Sequence, residues 1–428
     1  MSTLDRRRFL VGAAGAGLVV ATGPLAGPAA AAGPRPSGSR TRVYVLVVDG
    51  CSPQEIEPTL MPNLSAVRAD GSTFPAAQSL PVMETIPNHV MMMSGVRPDR
   101  SGVPANSVYD RAEGVVRTLD RPSDLGVPTL LDRLRERGLT SGSVLSKEYL
   151  FGIFGERATY RWQPAPLVPV SGHAPDPFTA DALIAMVEQV DPDLVFASFG
   201  DVDRYGHSDQ TGSLSVDALR RAALVGQDTQ IGRFLQRLRD TGRWASSVVL
   251  VLADHSMDWS LPTGFITLDA VLRADPQLAG SYVIAQNGGA EIVSWTGRDV
   301  TRAAGIERIR ALALAQPGVL SVHDPAELRL APSAGDVVCF ARAGFRFSDT
   351  TEVSNPLPGN HGHPATLPIP FFVGGGSPLV VRGRSHPAPA RTVDVAPTVA
   401  GLFGLPAPAG GWDGTARTEA FTRRARRG

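Results

Sequence analysis

Apolar positions 43–48 form an unbroken run that ends in Asp49-Gly50. The same texture returns at 194–199 before Gly200-Asp201, and at 248–252 before Ala253-Asp254. Runs of this length suit strands buried on both faces of a parallel sheet. Helical stretches are predicted between them at 129–137 and 216–240. The latter carries Leu219, Ala223, Ile231, Leu235 and Leu238 as an apolar stripe. Strands alternating with helices predict a doubly wound α/β sheet with helices on both faces. Each of the three strands ends at an acid, and such sheets gather ligand chemistry at their carboxyl ends. The grammar changes over 262–345, where shorter runs at 290–293 and 337–340 surround a helix near 301–315. This segment is read as a small α+β cap inserted between core parts 42–261 and 346–410. A last strand at 369–373 and a final helix at 393–403 complete the core. Residues 411–428, with Arg423, Arg424, Arg426 and Arg427, are expected to form a solvated basic tail.

The first 32 residues read as an address. Asp5-Arg6-Arg7-Arg8-Phe9-Leu10 precedes an apolar stretch that closes in Ala30-Ala31-Ala32-Gly33, a small-residue cleavage pattern. The paired arginines resemble a twin-arginine signal, which exports proteins already folded. Gly15, Gly17, Gly23, Pro24, Gly27 and Pro28 make a poor spanning helix. No strand precedes Gly12 to scaffold a dinucleotide loop. The expectation is an exported protein, periplasmic, cell-surface or secreted, with no stable membrane span after cleavage. Residues 33–41 form a flexible leader.

Composition narrows the classes. The chain has 41 basic and 41 acidic residues, and cleavage after Ala32 would leave 38 and 40. That balance excludes the basic excess of a dedicated nucleic-acid-binding module. Two cysteines, Cys51 and Cys339, exclude a disulfide scaffold and a Cys-rich zinc finger; buried free thiols are expected, with their pairing left open. Forty of the basic residues are Arg and one, Lys147, is Lys, a ratio that points to a high-GC coding bias rather than to function.

Candidate chemistry sits in several short fragments. Asp49, Asp254 and His255 follow buried strands, Asp203 and His207 lie in Asp-Val-Asp-Arg-Tyr-Gly-His, and His361 lies in Gly-Asn-His-Gly-His. Carboxylates with neutral imidazoles are what Zn²⁺ coordinates when sulfur is absent. Taken singly, each Asp serves equally as a turn or cap residue. Asp201 rivals Asp203 as a ligand, and His363 rivals His361. His89 is expected to hydrogen-bond or pack rather than bind metal, and His173, His323 and His386 are expected at the surface. Thr85 precedes Pro87-Asn88-His89 and an apolar stretch, which places its hydroxyl at a helix N-terminus, in a positive field suited to an attacking oxygen and a phosphate. Taken alone, the segment reads first as an N-cap.

Together, in order, Asp49, Thr85-Ile-Pro-Asn-His, Asn106, Asp203-x-x-Gly-His207, Asp254-His255 and Gly-Asn-His361-Gly resemble the alkaline phosphatase superfamily, specifically its nucleotide pyrophosphatase/phosphodiesterase-like branch. The resemblance implies an alkaline phosphatase-like α/β/α sandwich carrying two Zn²⁺, with Mn²⁺ or Fe as alternatives. It assigns Asp203, His207 and His361 to one metal, and Asp49, Thr85, Asp254 and His255 to the other. It makes Thr85 the nucleophile of a phosphothreonine pathway and Asn106 the holder of a phosphoryl oxygen. The implied substrate is a small-molecule phosphate ester, a nucleotide or other diester. A phosphomonoesterase or phosphonoacetate hydrolase on the same metal frame is the alternative, and a catalytically inactive exported binding protein is the non-enzyme reading. Cys51-Ser52-Pro53-Gln54-Glu55 lacks the Arg of a sulfatase motif, which argues against formylglycine chemistry. Substrate choice is expected in the cap and in the loops at 146–175.

Overall fold

A computed structural model describes residues 40–169, 171–208, 218–348 and 357–422. The proposed signal, the leader up to residue 39 and the terminal arginines lie outside the described residues. An eight-stranded sheet forms the centre, in the spatial order Arg384–Ser385, Ser72–Thr73, Phe371–Gly374, Ser247–Leu252, Arg42–Val48, Leu194–Phe199, Ser141–Leu145, Tyr160–Trp162. From Ser247–Leu252 to Tyr160–Trp162 the pairing is parallel throughout, while Phe371–Gly374 runs antiparallel to its neighbours. All seven residues of Arg42–Val48 are buried, as the unbroken apolar run requires of a strand covered on both sides.

Helices cover both faces. Tyr44 and Phe196 belong to adjacent strands in registers one residue apart, so their side chains point to opposite sides. Tyr44 meets Phe234 of helix Ala218–Asp240 edge-on at 5.2 Å. Phe196 meets His89 of helix Thr85–Ser94 at 5.7 Å. The fold is therefore a doubly wound sheet, as the strand and helix grammar implied, and forms the α/β/α sandwich that the motif resemblance implied. One expected stripe position departs: Leu219 is 47% exposed, and helix Ala218–Asp240 instead buries Leu224 and Phe234 with Ala223, Ile231, Leu235 and Leu238.

A second sheet of four antiparallel strands has the order Tyr282–Asn287, Ala290–Trp295, Val337–Ala341, Val319–His323. Helix Asp299–Leu314 packs on it, and Val293, Trp295, Ile309, Ala313 and Cys339 share a hydrophobic core separate from that of the main sheet. The short strands Asp258–Trp259 and Gly359–Asn360 pair antiparallel on either side of this excursion in the chain. Residues 411–422 depart from the expected solvated tail. Asp413 accepts from the Arg97 backbone N–H at 2.8 Å, and Phe421 is buried. No helix among the described residues is long and apolar enough to cross a membrane.

Candidate active site

Four adjacent parallel strands deliver polar side chains to one edge of the main sheet. Asp49 follows Arg42–Val48, Asp254 and His255 follow Ser247–Leu252, and Lys147 lies two residues past Ser141–Leu145. Strand Leu194–Phe199 leads through Gly200 into helix Asp201–Ser208, which carries Asp203 and His207 one turn apart. Gly50 has φ +73, and a Cβ there would stand 3.0 Å from the Asp203 backbone, so the turn after the central strand needs glycine. His361 arrives from Gly359–Asn360. A Cβ on Gly359 would lie 2.2 Å from the Gly206 carbonyl oxygen, so that approach also depends on a missing side chain.

These residues form two groups with ligand atoms close enough to share an ion: Asp203 with His207 and His361, and Asp49 with Asp254 and His255. Each histidine is oriented by its Nδ1. His207 Nδ1 donates to the Gly359 carbonyl at 2.7 Å, His255 Nδ1 to the Ser256 carbonyl at 3.0 Å, and His361 Nδ1 to the Met83 carbonyl at 3.2 Å. All three therefore turn Nε2 to the centre, the orientation in which metal-binding imidazoles are fixed. Nε2 of His207 stands 3.4 Å from Asp203 Oδ1, and Nε2 of His255 stands 3.4 Å from Asp254 Oδ2. Both oxygens of Asp49, with Asp203 Oδ1 and Asp254 Oδ2, are buried without a hydrogen-bond donor. Orphaned carboxylate oxygens of this kind are costly to bury, and a cation is what would satisfy them. The residues thus fit a two-metal site.

The rivals turn elsewhere. Asp201 accepts from His173 Nε2 at 3.0 Å and from the Asp176 backbone N–H at 3.1 Å, so it ties down the start of helix Asp176–Gln189. His173, expected at the surface, is 2% exposed because that hydrogen bond and one to Ser171 hold it inside. His363 pairs with Asp258 at 2.9 Å. His89 bridges the Thr85 carbonyl and Ser198 Oγ, the structural role expected of it. Cys51 and Cys339 are buried free thiols.

Thr85 is the first residue of its helix, and the cap position belongs to Glu84, whose side chain makes no capping bond. Its Oγ1 lies 3.3 Å from His255 Nε2 and 3.3 Å from Lys147 Nζ. Asn106 Oδ1 accepts from the Ile86 backbone N–H at 2.8 Å, which leaves the amide NH₂ for the pocket. Thr85, Asn106, Asp203, His207 and His361 line a cavity of about 280 Å³. Tyr149 and Arg204 form one of its walls, and Gln286 and Asn287 of the four-stranded sheet form another. Asn287 holds the Ser107 backbone through both side-chain atoms, fastening that sheet to the Asn106 loop. A larger cleft of about 560 Å³ between strand Ser107–Asp110 and the second sheet contains none of these residues. Its Arg117, Arg111 and Arg302 are already engaged by Asp110, Asp124 and Asp336, so the smaller cavity holds the chemistry.

Electrostatics follow from burial and proximity. Burial opposes charge on Lys147, but Asp203 and Asp49 outweigh it and hold the ammonium above its ordinary pKa. Burial raises Asp49 well above the carboxylate range, and Asp254 adds to the effect. Burial pushes Asp203 the same way, yet Lys147 and His207 overcome it and keep it well below that range. Burial drives the His255 ring down to about 3, so it is neutral. For His361, burial is outweighed by Glu84, whose Oε1 lies 3.3 Å from Nδ1, and by Asp203, and the ring is raised to about 9. Sequence reasoning missed Lys147, Tyr149, Arg204 and Glu84. The available signal for the first three was their position in the loops and helix starts that follow parallel strands.

A sandwich of this kind, with acids and histidines gathered beside a helix-terminal hydroxyl, is the architecture of the alkaline phosphatase superfamily. The chain belongs, more specifically, to the family described as type I phosphodiesterase / nucleotide pyrophosphatase, whose model matches residues 43–363. It is 24% identical over 248 residues to the bovine bis(5'-adenosyl)-triphosphatase ENPP4, a stretch that covers 55% of this chain. The chain spans about half of that relative, 52% of its length. Murine ectonucleotide pyrophosphatase / phosphodiesterase 5 superposes with a TM-score of 0.72 at 17% identity, covering 89% of this chain and all of that one. An inactive threonine-to-alanine form of the murine protein in complex with AMP gives the same score over 90% of this chain. The human counterpart gives 0.70 at 16% identity, covering 89% of this chain and all of its own.

Proposed function

We propose that the protein is an exported, zinc-dependent hydrolase that cleaves phosphodiester or pyrophosphate bonds of nucleotide-type substrates through a phosphothreonine on Thr85. The observation that carries this reading is the placement of Thr85 Oγ1. It lies at the start of a buried helix, one residue past the cap position, and faces His255 beside both acid–histidine groups. Asp203, His207 and His361 would hold one Zn²⁺, and Asp49, Asp254, His255 and Thr85 the other. Bound there, the ions supply Lewis-acid charge that lowers the hydroxyl pKa and neutralises phosphoryl and leaving oxygens.

The chain's own groups do the rest. Thr85 Oγ1 forms a bond to phosphorus as the bond to the leaving alcohol or phosphate breaks on the opposite side. Water then displaces Thr85 in a second inversion, releasing the phosphoryl product and restoring the hydroxyl. The Asn106 amide donates to an equatorial oxygen, pre-aimed by its bond to Ile86. The bovine relative is named for a dinucleoside triphosphate, and the murine structure holds AMP, which supports a nucleoside phosphoryl group in this pocket.

One observation favours a second reading on the same frame, a phosphomonoesterase or phosphonate hydrolase. Arg204 lines the cavity with an Nε that makes no hydrogen bond and lies 3.9 Å from Asp203 Oδ2, a cation suited to the extra charge of a dianion. Side-by-side turnover of bis(p-nitrophenyl) phosphate, p-nitrophenyl phosphate and phosphonoacetate separates the two, and higher monoester or phosphonate activity overturns the diesterase assignment. Thr85→Ala is expected to lower diester kcat by about a thousandfold or more while bound zinc is retained. Near wild-type turnover by this variant would remove Thr85 as nucleophile. Export rests on the Arg6-Arg7-Arg8 segment and the Ala30-Ala31-Ala32 site, and N-terminal sequencing of secreted material should begin at Gly33.

A further inference from the structure

We infer that Lys147 is a positioning residue that joins the two metal-binding groups and sets how their carboxylates face the ions. The inference rests on the two-metal reading above. Lys147 Nζ stands 2.8 Å from Asp49 Oδ2 and 2.8 Å from Asp203 Oδ2, one carboxylate from each group. It also stands 3.3 Å from Thr85 Oγ1. The contacts to Asp203 and Thr85 are hydrogen bonds donated by the ammonium, and the contact to Asp49 is an ion pair. Its side chain has no solvent exposure, so these contacts are what compensates its burial.

The two carboxylates are divided in the same way. Asp203 turns Oδ2 to the lysine and Oδ1 to the imidazoles, 3.4 Å from His207 Nε2 and 3.7 Å from His361 Nε2. Asp49 turns Oδ2 to the lysine and Oδ1 towards His255 Nε2 at 3.9 Å. With one oxygen of each acid turned to Lys147, the other is the one that faces the imidazoles, so each carboxylate would meet its ion chiefly through that oxygen. The third N–H points at the nucleophile, where a donor favours the deprotonated oxygen. Lys147 therefore trades metal affinity for geometry, because its charge repels both ions while its hydrogen bonds align their ligands.

Lys147→Met separates this role from simple packing. In zinc competition with a chelator, the variant is expected to bind at least about tenfold more tightly, since a neighbouring positive charge is gone. Its kcat for bis(p-nitrophenyl) phosphate is expected to fall on the order of a hundredfold, with KM changed far less. Cobalt(II) substituted into the variant should show weaker visible bands, the signature of a higher coordination number once the second oxygens are free. Unchanged or weaker zinc binding, or kcat within threefold of wild type, would overturn the inference.

A measurement on the unmodified chain covers the case of a variant that does not fold. Because Lys147 is the only lysine, ¹⁵N-lysine labelling gives one side-chain ammonium signal. That signal should exchange slowly with water and shift as zinc is added. Rapid exchange, or indifference to zinc, would equally refute the role. Zinc affinity and the ammonium signal do not depend on turnover, so a failed diesterase assay would count against the proposed function alone.

Discussion

His361 carries a proton below pH about 9 in the metal-free protein, because Glu84 and Asp203 outweigh the cost of burying the charge. A metal at Nε2 must displace that proton. Calorimetry in buffers of differing ionisation enthalpy should detect this proton's release on zinc binding, and the affinity should rise with pH until about 9. The sign for stability is opposite. Since the folded pKa is raised, the metal-free protein draws stability from the charged ring below its unfolded value of about 6.5, and loses it as pH climbs to about 9. Glu84→Gln removes the first of the two acidic partners and should shift both curves to lower pH. His361 itself was legible from its Gly-Asn-His-Gly setting, whereas Glu84 was not. A glutamate in Met83-Glu84-Thr85 shows nothing of the histidine that reaches it from 277 positions further along. Lys147 was passed over for a related reason: nothing in Ser146-Lys147-Glu148 shows the acids opposite that explain its burial.

The loop ahead of the nucleophile helix depends on one amide. Asn88 Nδ2 donates to the carbonyls of Leu80, Val82 and Glu84, each at 3.1 Å. Its Oδ1 accepts from the Leu80 N–H and the Thr392 hydroxyl. Those bonds tie residues 80–84 to the second turn of helix Thr85–Ser94 and so fix where Thr85 emerges. Asn88→Ala leaves several buried polar groups unpaired and should cost about 3 kcal/mol in chemical denaturation. It should also lower kcat more than KM. Elements of this kind were partly legible. The three acid-terminated strands and the helix behind Thr85 follow from apolar runs and from Pro87. The strand at 371–374 was expected too, but its antiparallel direction was not, since hydrophobic pattern carries no polarity. The described part of the expected tail was misjudged because its packing comes from Arg97 and other distant partners, not from its own sequence.

At the scale of the whole molecule, ligands separated by up to 312 positions converge, from Asp49 to His361. Metal bound there stabilises the folded state, because the unfolded chain cannot present the set. Exhaustive chelation should lower Tm by several degrees, and restored zinc should return it. An unchanged melting curve would mean that the acids and histidines are compensated without metal. The α/β/α sandwich was legible from alternation alone, while the pocket walls at Tyr149, Arg204 and Gln286 were not, because each acquires its role only across the assembled sheet edge. The short pair of Asp258–Trp259 with Gly359–Asn360 bears on ancestry as well as structure. It closes the neck of the excursion that carries the second sheet, so that sheet can be enlarged, trimmed or exchanged without shifting His361. Substrate range and bond-breaking machinery are thereby free to evolve at different speeds in one gene.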